Sequence, residues 1–243
     1  MTFRVYVGFD DTDTLDADRG TGKLARWFEG ELPEGCRMWG VVRQQLLVDP
    51  AIPYTSHNSS ACAVVECADR VFLPRIIEIA SKHIQAHSLP GSDPGLCVAS
   101  EDSDALRELT RFGLETANTI KTQREAMDSA RGAHLSGHGG TSDGIIGAAA
   151  AVGLTVYGWS GRLIEYNGLR NFSRVMTVGS LVRHGILVIS VDRDARVPAP
   201  ADLVDTSGWL RPRLLGGKAI LPVAEKGPCI WESLGRKRGK QKE

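Results

Sequence analysis

Three carboxylates stand within four consecutive positions at the end of the first predicted strand. Residues 3–9 are rich in β-branched and aromatic side chains, and Asp10, Asp11 and Asp13 follow directly. Two carboxylates about 4 Å apart repel each other by about 4 kcal/mol at an effective dielectric of 20. Oxygen ligands without a neighbouring histidine or thiolate suit a hard cation such as Mg²⁺. The run therefore predicts a magnesium site at a strand end, while a simple turn or helix cap also explains Asp11 and Asp13.

Hydrophobic periodicity predicts an α/β fold class, because strands alternate with helices over the first 150 or so residues. The predicted strands there span residues 3–9, 38–48, 61–67 and 96–99, and the predicted helices span about 20–28, 71–87, 104–114 and 120–133. Short β-like runs follow over residues 154–159, 162–166, 174–178 and 186–191. We therefore predict an α/β domain over residues 1–153, a smaller α+β domain over 154–235 and a tail over 236–243.

Composition and charge limit the classes of function. The chain has 243 residues with 42% hydrophobic content and a formal net charge of zero, so overall charge gives no argument for nucleic acid. The local exception is the predicted disordered tail, with its basic residues Arg236, Lys237, Arg238, Lys240 and Lys242. The five cysteines lack zinc-site spacing, and no apolar stretch reaches the length of about 20 residues that a membrane span needs. We expect a reduced, cytoplasmic protein without zinc.

A glycine-rich segment provides the second candidate site. Glycines free the backbone to surround an anion, and the start of the following small-residue helix offers unpaired N–H groups to a phosphate. The predicted cofactor-binding residues are Gly137, His138, Gly139, Gly140, Thr141, Ser142, Asp143 and Gly144. Helix capping and tight helix packing explain the same residues. The glycines exclude a regular helix through His134 and His138, so the pair does not predict a zinc site, although either ring suits phosphate contact or acid–base chemistry.

Two further segments carry candidate residues. Lys23 follows Gly20-Thr21-Gly22, but the P-loop pattern is absent because Ala17 and Leu24 stand where a glycine and a hydroxyl residue are needed. Lys23 is either a phosphate contact or an exposed lysine. The long loop over residues 50–60 contains Tyr54, Ser56, His57 and Asn58, which are candidate substrate contacts and also ordinary turn residues.

These motifs together resemble the archaeal tRNA-isoleucine agmatidine synthetase (TiaS) family. The resemblance lies in the order of Gly8–Asp13, Asp49–Tyr54, Asp93–Leu96 and Gly139–Ala148, and it continues through Gly158-Trp159 and residues 164–166 to residues 227–230. It implies a kinase-like domain that binds ATP and Mg²⁺, followed by a ferredoxin-like domain. It also implies activation of the C2 carbonyl of a tRNA cytidine through a phosphorylated intermediate, followed by addition of agmatine.

The resemblance assigns roles to individual residues. Asp10, Asp11 and Asp13 match the metal-binding motif, residues 139–144 match a nucleotide-site segment, and Thr21 falls near the family's phosphorylated threonine. The chain departs from the family after Pro53, where Tyr54–Ser59 lacks the two cations of the family's Trp-Lys-Thr-Arg-Gly-Asn run. It also lacks the cysteine set of the family's zinc ribbon.

The sequence thus predicts an Mg²⁺-dependent, ATP-using enzyme that acts on an amide-like, nucleotide or tRNA acceptor. Its predicted catalytic residues are Asp10, Asp11, Thr21 and His57, and Tyr54, Ser56 and Asn58 are predicted to contact substrate. The expected partners are a nucleotide and a tRNA or small-molecule acceptor, with no membrane. The alternative is a nucleotide- or RNA-binding module without catalytic activity.

Overall fold

A computed structural model describes residues 2–53, 57–192 and 196–235. The strands in these ranges are β1 (Phe3–Asp10), β2 (Cys36–Gln45), β3 (Ser59–Cys67), β4 (Gly95–Ser100), β5 (His134–Gly137), β6 (Arg162–Glu165), β7 (Val175–Thr177), β8 (Ile186–Ser190), β9 (Leu203–Asp205), β10 (Arg213–Leu215), β11 (Lys218–Gly227) and β12 (Ile230–Ser233). The α-helices are α1 (Thr21–Trp27), α2 (Leu73–His87), α3 (Leu106–Thr116), α4 (Gln123–Ser129), α5 (Gly144–Tyr157) and α6 (Val178–Arg183). Within these ranges, no helix combines the length and apolarity needed to cross a bilayer.

The described strands form one sheet in the order β5-β4-β1-β3-β2-β6-β10-β11-β12-β9-β7, with β8 beside β11. The pairs β8–β11 and β9–β12 are parallel, and the other described pairs are antiparallel. The sheet passes from the first half of the chain to the second through the pairing of β2 with β6. This pairing fixes how surfaces from the two halves meet.

Helices cover both faces of the first half of the sheet. Val5, Val7 and Phe9 of β1 point into one core with α1 and α2, while Tyr6 points to the opposite core with α3, α4 and α5. This alternation follows from the period of two along a strand. A third core lies in the second half and includes Leu181 of α6 and strand residues from β6, β8 and β11. The result is a layered arrangement of helices and sheet.

Small residues bring α5 into direct contact with the backbone of its neighbours. A Cβ atom on Gly153 would lie 1.8 Å from the carbonyl oxygen of Leu109 in α3. On the other side, a Cβ atom on Gly8 of β1 would lie 2.2 Å from the carbonyl oxygen of Ala148. The small residues of α5 therefore set the distance between helix and sheet, and they position the loop that precedes the helix.

The mixed α/β fold class is confirmed, and most elements of the first half lie near their predicted ranges. The predicted β-like run over residues 154–159 is wrong, because α5 continues to Tyr157 and buries Leu154 and Thr155. The helix predicted over 120–133 is shorter, since α4 spans Gln123–Ser129, and His134–Gly137 forms an unpredicted strand. The division into two domains stays a prediction, and its boundary at 153/154 falls within α5. The predicted tail over 236–243 lies outside the described residues.

The contact between α3 and α5 gives a stability test. We expect Gly153→Ala to lower the free energy of unfolding by about 1–3 kcal/mol, because the added methyl group overlaps the backbone of Leu109. Gly30→Ala is the control, since a Cβ atom there has no neighbour within 4 Å. Urea unfolding followed by circular dichroism measures both variants. Equal stability of Gly153→Ala and the wild type would contradict this account of the helix contact.

Candidate functional site

Antiparallel pairing of β1 and β4 creates a cavity of about 780 Å³ beside the acidic run. Asp10 at the end of β1 lies opposite Gly95 at the start of β4, so Asp93 reaches the same edge of the sheet. Five carboxylates line the cavity, from Asp10, Asp11, Asp13, Asp93 and Asp143. They come from three separate segments of the chain. A volume of this size lies within the usual range of about 300–1,000 Å³ for small-molecule sites.

Burial, together with repulsion among these carboxylates, raises the pKa values of Asp10 and Asp11. Burial, followed by repulsion from Asp11, raises the pKa of Asp10 to about 8. Burial also raises the pKa of Asp11 to about 6, and repulsion from Asp93, Asp13 and Asp143 adds to the effect. Both groups therefore bind protons more tightly than ordinary aspartates. A cation that replaced these protons would relieve the repulsion.

The acidic loop is held in a fixed and strained conformation. Asp11 has φ of 50°, in the left-handed region that costs a residue other than glycine about 1–3 kcal/mol. Its neighbour Thr12 is buried and donates from its hydroxyl to the Oγ1 atom of Thr21, 3.0 Å away. The backbone N–H of Leu89 donates to the carbonyl oxygen of Thr12 at 3.0 Å. These bonds tie the loop to the start of α1 and to the segment after α2.

Glycines allow two of the carboxylates to lie directly against backbone. The Asp93 carboxylate accepts hydrogen bonds from the N–H and the hydroxyl of Thr141, at 2.8 and 2.7 Å. A Cβ atom on Gly140 would overlap Asp93 Oδ1, and one on Gly147 would lie 1.7 Å from Asp10 Oδ2. Any larger residue at these two positions would displace a carboxylate. The two glycines thus leave the room that these carboxylates occupy.

Cationic and apolar side chains complete the cavity. Lys23, Arg43 and Lys121 line it. Lys121 forms ion pairs with Glu115 and Glu125, at 2.6 and 3.0 Å, so its charge is largely neutralised. The Lys23 ammonium lies 5.1 Å from the centroid of the Trp27 ring. The apolar lining residues include Leu15, Leu46, Ile52, Ile120 and Ile146. The cavity therefore combines five carboxylates, the cations Lys23 and Arg43 and several apolar side chains.

The glycine-rich segment contributes less to the cavity than the sequence predicts. Asp143 and Gly144 line it, but the other predicted cofactor contacts do not, namely Gly137, His138, Gly139, Gly140, Thr141 and Ser142. The expected unpaired N–H groups are also absent from the first residues of α5. The N–H groups of Gly144, Ile145 and Ile146 donate to the carbonyl oxygens of Asp93, Ser142 and Asp143. The segment acts as packing for the Asp93 loop, and its role as a phosphate cradle stays a prediction.

His138 lies in a hydrogen-bonded chain outside the cavity. Its Nε2 atom is 2.8 Å from the Ser136 hydroxyl, which is 2.9 Å from His134 Nε2, and its Nδ1 atom is 3.1 Å from Gln85 Nε2. Burial lowers the pKa of both His134 and His138. This chain satisfies both ring nitrogens of His138, which explains the residue without a ligand.

The remaining predicted residues mostly meet at the cavity. Thr21, Lys23, His57 and Asn58 line it together with the acidic residues. The Asn58 side-chain amide donates to the carbonyl oxygen of Leu47 at 2.6 Å, so that group already has a structural partner. Tyr54 and Ser56 lie outside the described residues.

Sequence reasoning assigned no site role to Asp93 or Arg43. Asp93 lies two residues before a short strand, and Asp10 ends another strand. The position of an aspartate next to a strand end is thus a signal that the sequence offers for both residues. Arg43 carries no such signal, because its place on the cavity depends on how β2 pairs with its neighbours.

A second, basic groove adjoins the cavity at Arg43. Three arginines lie side by side across neighbouring strands, since Arg43 of β2 is opposite Arg162 of β6, which is opposite Arg213 of β10. Together with Trp159, whose surface is 61% exposed, they line a groove of about 280 Å³. Burial and the neighbouring arginine lower the pKa of both Arg43 and Arg162. No acidic residue in the described ranges forms an ion pair with this arginine row.

Comparison with known proteins identifies similar folds among solved structures. No protein-family model and no curated protein matches the chain. A structure described as a tRNA fluorescent labeling enzyme is 27% identical with a TM-score of 0.53, and a complex of TiaS with tRNA and ATP is 26% identical with the same TM-score. Each match covers 62% of this chain and 36% of the solved chain. This chain thus matches about a third of the length of these structures.

The raised pKa of Asp10 predicts a pH-dependent stability. The unfolded chain ionises this group near its ordinary value of 3.8, whereas the fold keeps its proton up to about pH 8. Between these values the unfolded state releases a proton that the folded state retains, so rising pH lowers the free energy of unfolding. We expect Asp10→Asn to stabilise the metal-free protein by a few kcal/mol at pH 8, with little effect near pH 4.

Thermal melting in a chelating buffer between pH 4 and 9 measures this difference. The exposed Asp104→Asn, outside the cavity, is the control. A stability difference between Asp10→Asn and the wild type that did not change with pH would show that the fold does not raise the pKa of Asp10.

Proposed function

We propose that the protein is an Mg²⁺-dependent enzyme that uses ATP to activate an acceptor, with a polynucleotide of the tRNA type as the favoured acceptor. The main support for this proposal is that five carboxylates, Lys23 and Arg43 line the same cavity. The similar fold of a protein solved with ATP and tRNA supports the same assignment.

The donor set of the cavity fits Mg²⁺. Its carboxylates supply oxygen atoms only, and the raised proton affinity of Asp10 and Asp11 marks a place where a cation would be stabilised. Asp10, Asp11 and Asp13 are the proposed ligands, with Asp93 as a further oxygen donor. A bound Mg²⁺ would neutralise charge on the phosphates of ATP. Asp93 differs from the first three because Thr141 already donates hydrogen bonds to both of its carboxylate oxygens.

The other walls of the cavity suit the remaining parts of ATP. Lys23 and Arg43 carry positive charges that would neutralise phosphate oxygens as charge develops in the transition state. The apolar side chains of Leu15 and Ile120 are exposed at the cavity and offer a surface to the base. Arrangement of metal, phosphates and acceptor is the main requirement of phosphoryl transfer.

In the proposed reaction, an acceptor oxygen forms a bond to the γ-phosphorus of ATP. The bond between the γ-phosphorus and the β,γ-bridging oxygen breaks, and ADP leaves. Where the acceptor is a hydroxyl, its proton must pass to a base, for which His57 on the cavity wall is the candidate. Thr21 offers such a hydroxyl within the protein, since this residue lines the cavity and its Oγ1 atom accepts a hydrogen bond from Thr12.

The basic groove supports a polynucleotide acceptor. Like charges placed opposite each other destabilise a sheet unless an anion compensates them, and the row from Arg43 to Arg213 has three. A phosphate backbone would supply that charge, and the exposed Trp159 would stack on a base. Gly235 lies beside the Arg162 guanidinium, and a Cβ atom there would be 2.8 Å from its nitrogen. The basic run 236–243 follows directly in the sequence.

Replacement of one carboxylate tests the metal assignment. We expect Asp11→Asn to weaken Mg²⁺-dependent ATP binding at least about tenfold, because the amide keeps the shape but removes a charge that the metal needs. Calorimetric titration with ATP, with and without Mg²⁺, measures the effect. Asp104→Asn should bind like the wild type. An unchanged affinity in Asp11→Asn, with an intact circular dichroism spectrum, would contradict the proposed site.

Turnover separates the enzyme from the alternative of a binding module without catalysis. Incubation with labelled ATP and Mg²⁺, in the presence and absence of bulk tRNA, should release ADP and release it faster with tRNA. Salt-sensitive retention of tRNA without ADP release would instead favour the binding module.

The arginine row predicts how RNA binding depends on salt. We expect Arg162→Gln to weaken tRNA binding and to reduce the slope of log K against log salt by about 1, as loss of one phosphate contact should. Filter binding over a salt series measures both. The control is Arg107→Gln, since the Arg107 side chain is 92% exposed on α3, away from the groove. Equal salt slopes for Arg162→Gln and the wild type would exclude the groove as the RNA contact.

A further inference from the structure

Two histidines and a glutamate meet where α2 packs against the 3₁₀ helix Phe28–Glu31. His83 and His87 are one turn apart on α2, and Glu31 approaches them from the end of the 3₁₀ helix. One ligand-type atom from each of the three residues lies within 4.8 Å of the others. No hydrogen bond or ion pair described for these side chains joins the three. We call this group the histidine–glutamate triad.

The Nδ1 atom of His83 is the distinctive feature of the triad. The His83 side chain is 3% exposed, and its Nδ1 atom has no hydrogen-bond partner among the described residues. Its Nε2 atom lies 3.0 Å from the carbonyl oxygen of Leu24, which accepts the ring N–H. With Nε2 as the donor, Nδ1 carries a lone pair. Burial lowers the pKa of His83.

Packing holds the His83 ring in place. The His83 ring contacts Phe28 and Phe9 at centroid distances of 5.3 and 6.1 Å, and it faces His87 at 4.6 Å. A buried polar atom without a partner is costly, and a native structure rarely keeps one without a purpose. Metal-ligating histidines commonly donate one ring N–H to a backbone carbonyl and bind the metal through the other nitrogen. His83 has the first of these bonds, and its second nitrogen has no partner within the described part of the chain.

We propose that Glu31, His83 and His87 form a binding site for a divalent transition-metal ion of the Zn²⁺ type, separate from the acidic cavity. His83 contributes Nδ1, His87 a ring nitrogen and Glu31 a carboxylate oxygen. Three protein ligands leave a fourth position for water or another ligand.

The donor set selects this class of metal over Mg²⁺. Imidazole nitrogens suit zinc, copper, iron and nickel, whereas Mg²⁺ and Ca²⁺ take oxygen ligands. Ligands of a tetrahedral zinc ion lie about 3.3 Å apart, given bond lengths of about 2.0–2.1 Å. The present atoms are within 4.8 Å, so the group would contract on binding. Glu31 is exposed and His87 half-buried, so both can move towards the fixed His83.

A metal bound to the triad would link the segment that follows the acidic loop to α2. The triad links the 3₁₀ helix after α1 to α2, and Leu24 of α1 holds the His83 ring. None of the three residues lines the acidic cavity. The proposal is therefore independent of ATP use, and either can fail without the other. It also differs from the sequence-based expectation of no zinc, which considered only the cysteines and the pair His134 and His138.

Zinc titration of the full chain tests the site. Protein stripped of metal by a chelator is titrated with ZnCl₂ in excess MgCl₂, and Co²⁺ absorption reports the ligand set. We expect stoichiometric zinc binding that survives the magnesium and raises the melting temperature. Glu31→Gln and His87→Gln should each weaken zinc binding at least about tenfold and lose that rise in melting temperature.

Control variants distinguish the loss of a zinc ligand from a general effect on folding. Glu29→Gln changes a carboxylate on the same 3₁₀ helix, and His184→Gln changes a histidine of the second half, so both should bind zinc like the wild type. Metal-free Glu31→Gln and His87→Gln should melt like the metal-free wild type, since both positions keep some exposure. His83→Ala is avoided because its ring packs in the core. Zinc affinity that is unchanged in Glu31→Gln and His87→Gln, or abolished by magnesium, would overturn the proposal.

Discussion

Repulsion among carboxylates held together by backbone packing is the constraint on which the candidate site depends. The pairing of β1 with β4 places Asp10 and Asp93 at one edge of the sheet, and α5 approaches so closely that Gly147 lies against the Asp10 carboxylate. Before any ligand binds, burial and this crowding raise the pKa values of Asp10 and Asp11, so the carboxyl groups hold protons more tightly than ordinary aspartates. Small-residue packing, the strained loop at Asp11 and the bonds from Thr12 all serve to hold that arrangement.

The parts of the fold that local pattern determines could be predicted from the sequence. Strand β1 has a clear composition, and the acidic run after it points to the cavity that Asp10, Asp11 and Asp13 line. The place of Asp93 could not be predicted, because it depends on the register between strands about 90 residues apart in sequence. The glycine-rich segment predicts an anion cradle, whereas its glycines accommodate Asp93 and neighbouring backbone. Composition alone does not distinguish these two uses of glycine.

The pairing of β2 with β6 places the acidic cavity next to the basic groove, and no single segment of the chain contains both surfaces. Arg43 lines both the acidic cavity and the basic groove, and its cross-strand neighbour Arg162 comes from the second half of the chain. The net charge of zero does not reveal this arrangement. The carboxylates of the cavity and the arginines of the groove form separate groups in adjacent places. The arginine row and the histidine–glutamate triad both arise from tertiary contacts, although the spacing of His83 and His87 is visible in the sequence as one helical turn.

The close approach of α5 to the sheet has a consequence for the recognition of distant relatives. A chain with the same carboxylate arrangement needs a helix glycine that leaves room for the strand-end aspartate, with an aspartate four residues before it, as Asp143 precedes Gly147. It also needs an Asp-x-Gly step such as Asp93–Gly95 at the facing strand. Neither pattern is specific by itself. Joined to an aspartate pair that begins two residues after a glycine, as at Gly8, they form a three-part signature whose members meet only in the folded chain.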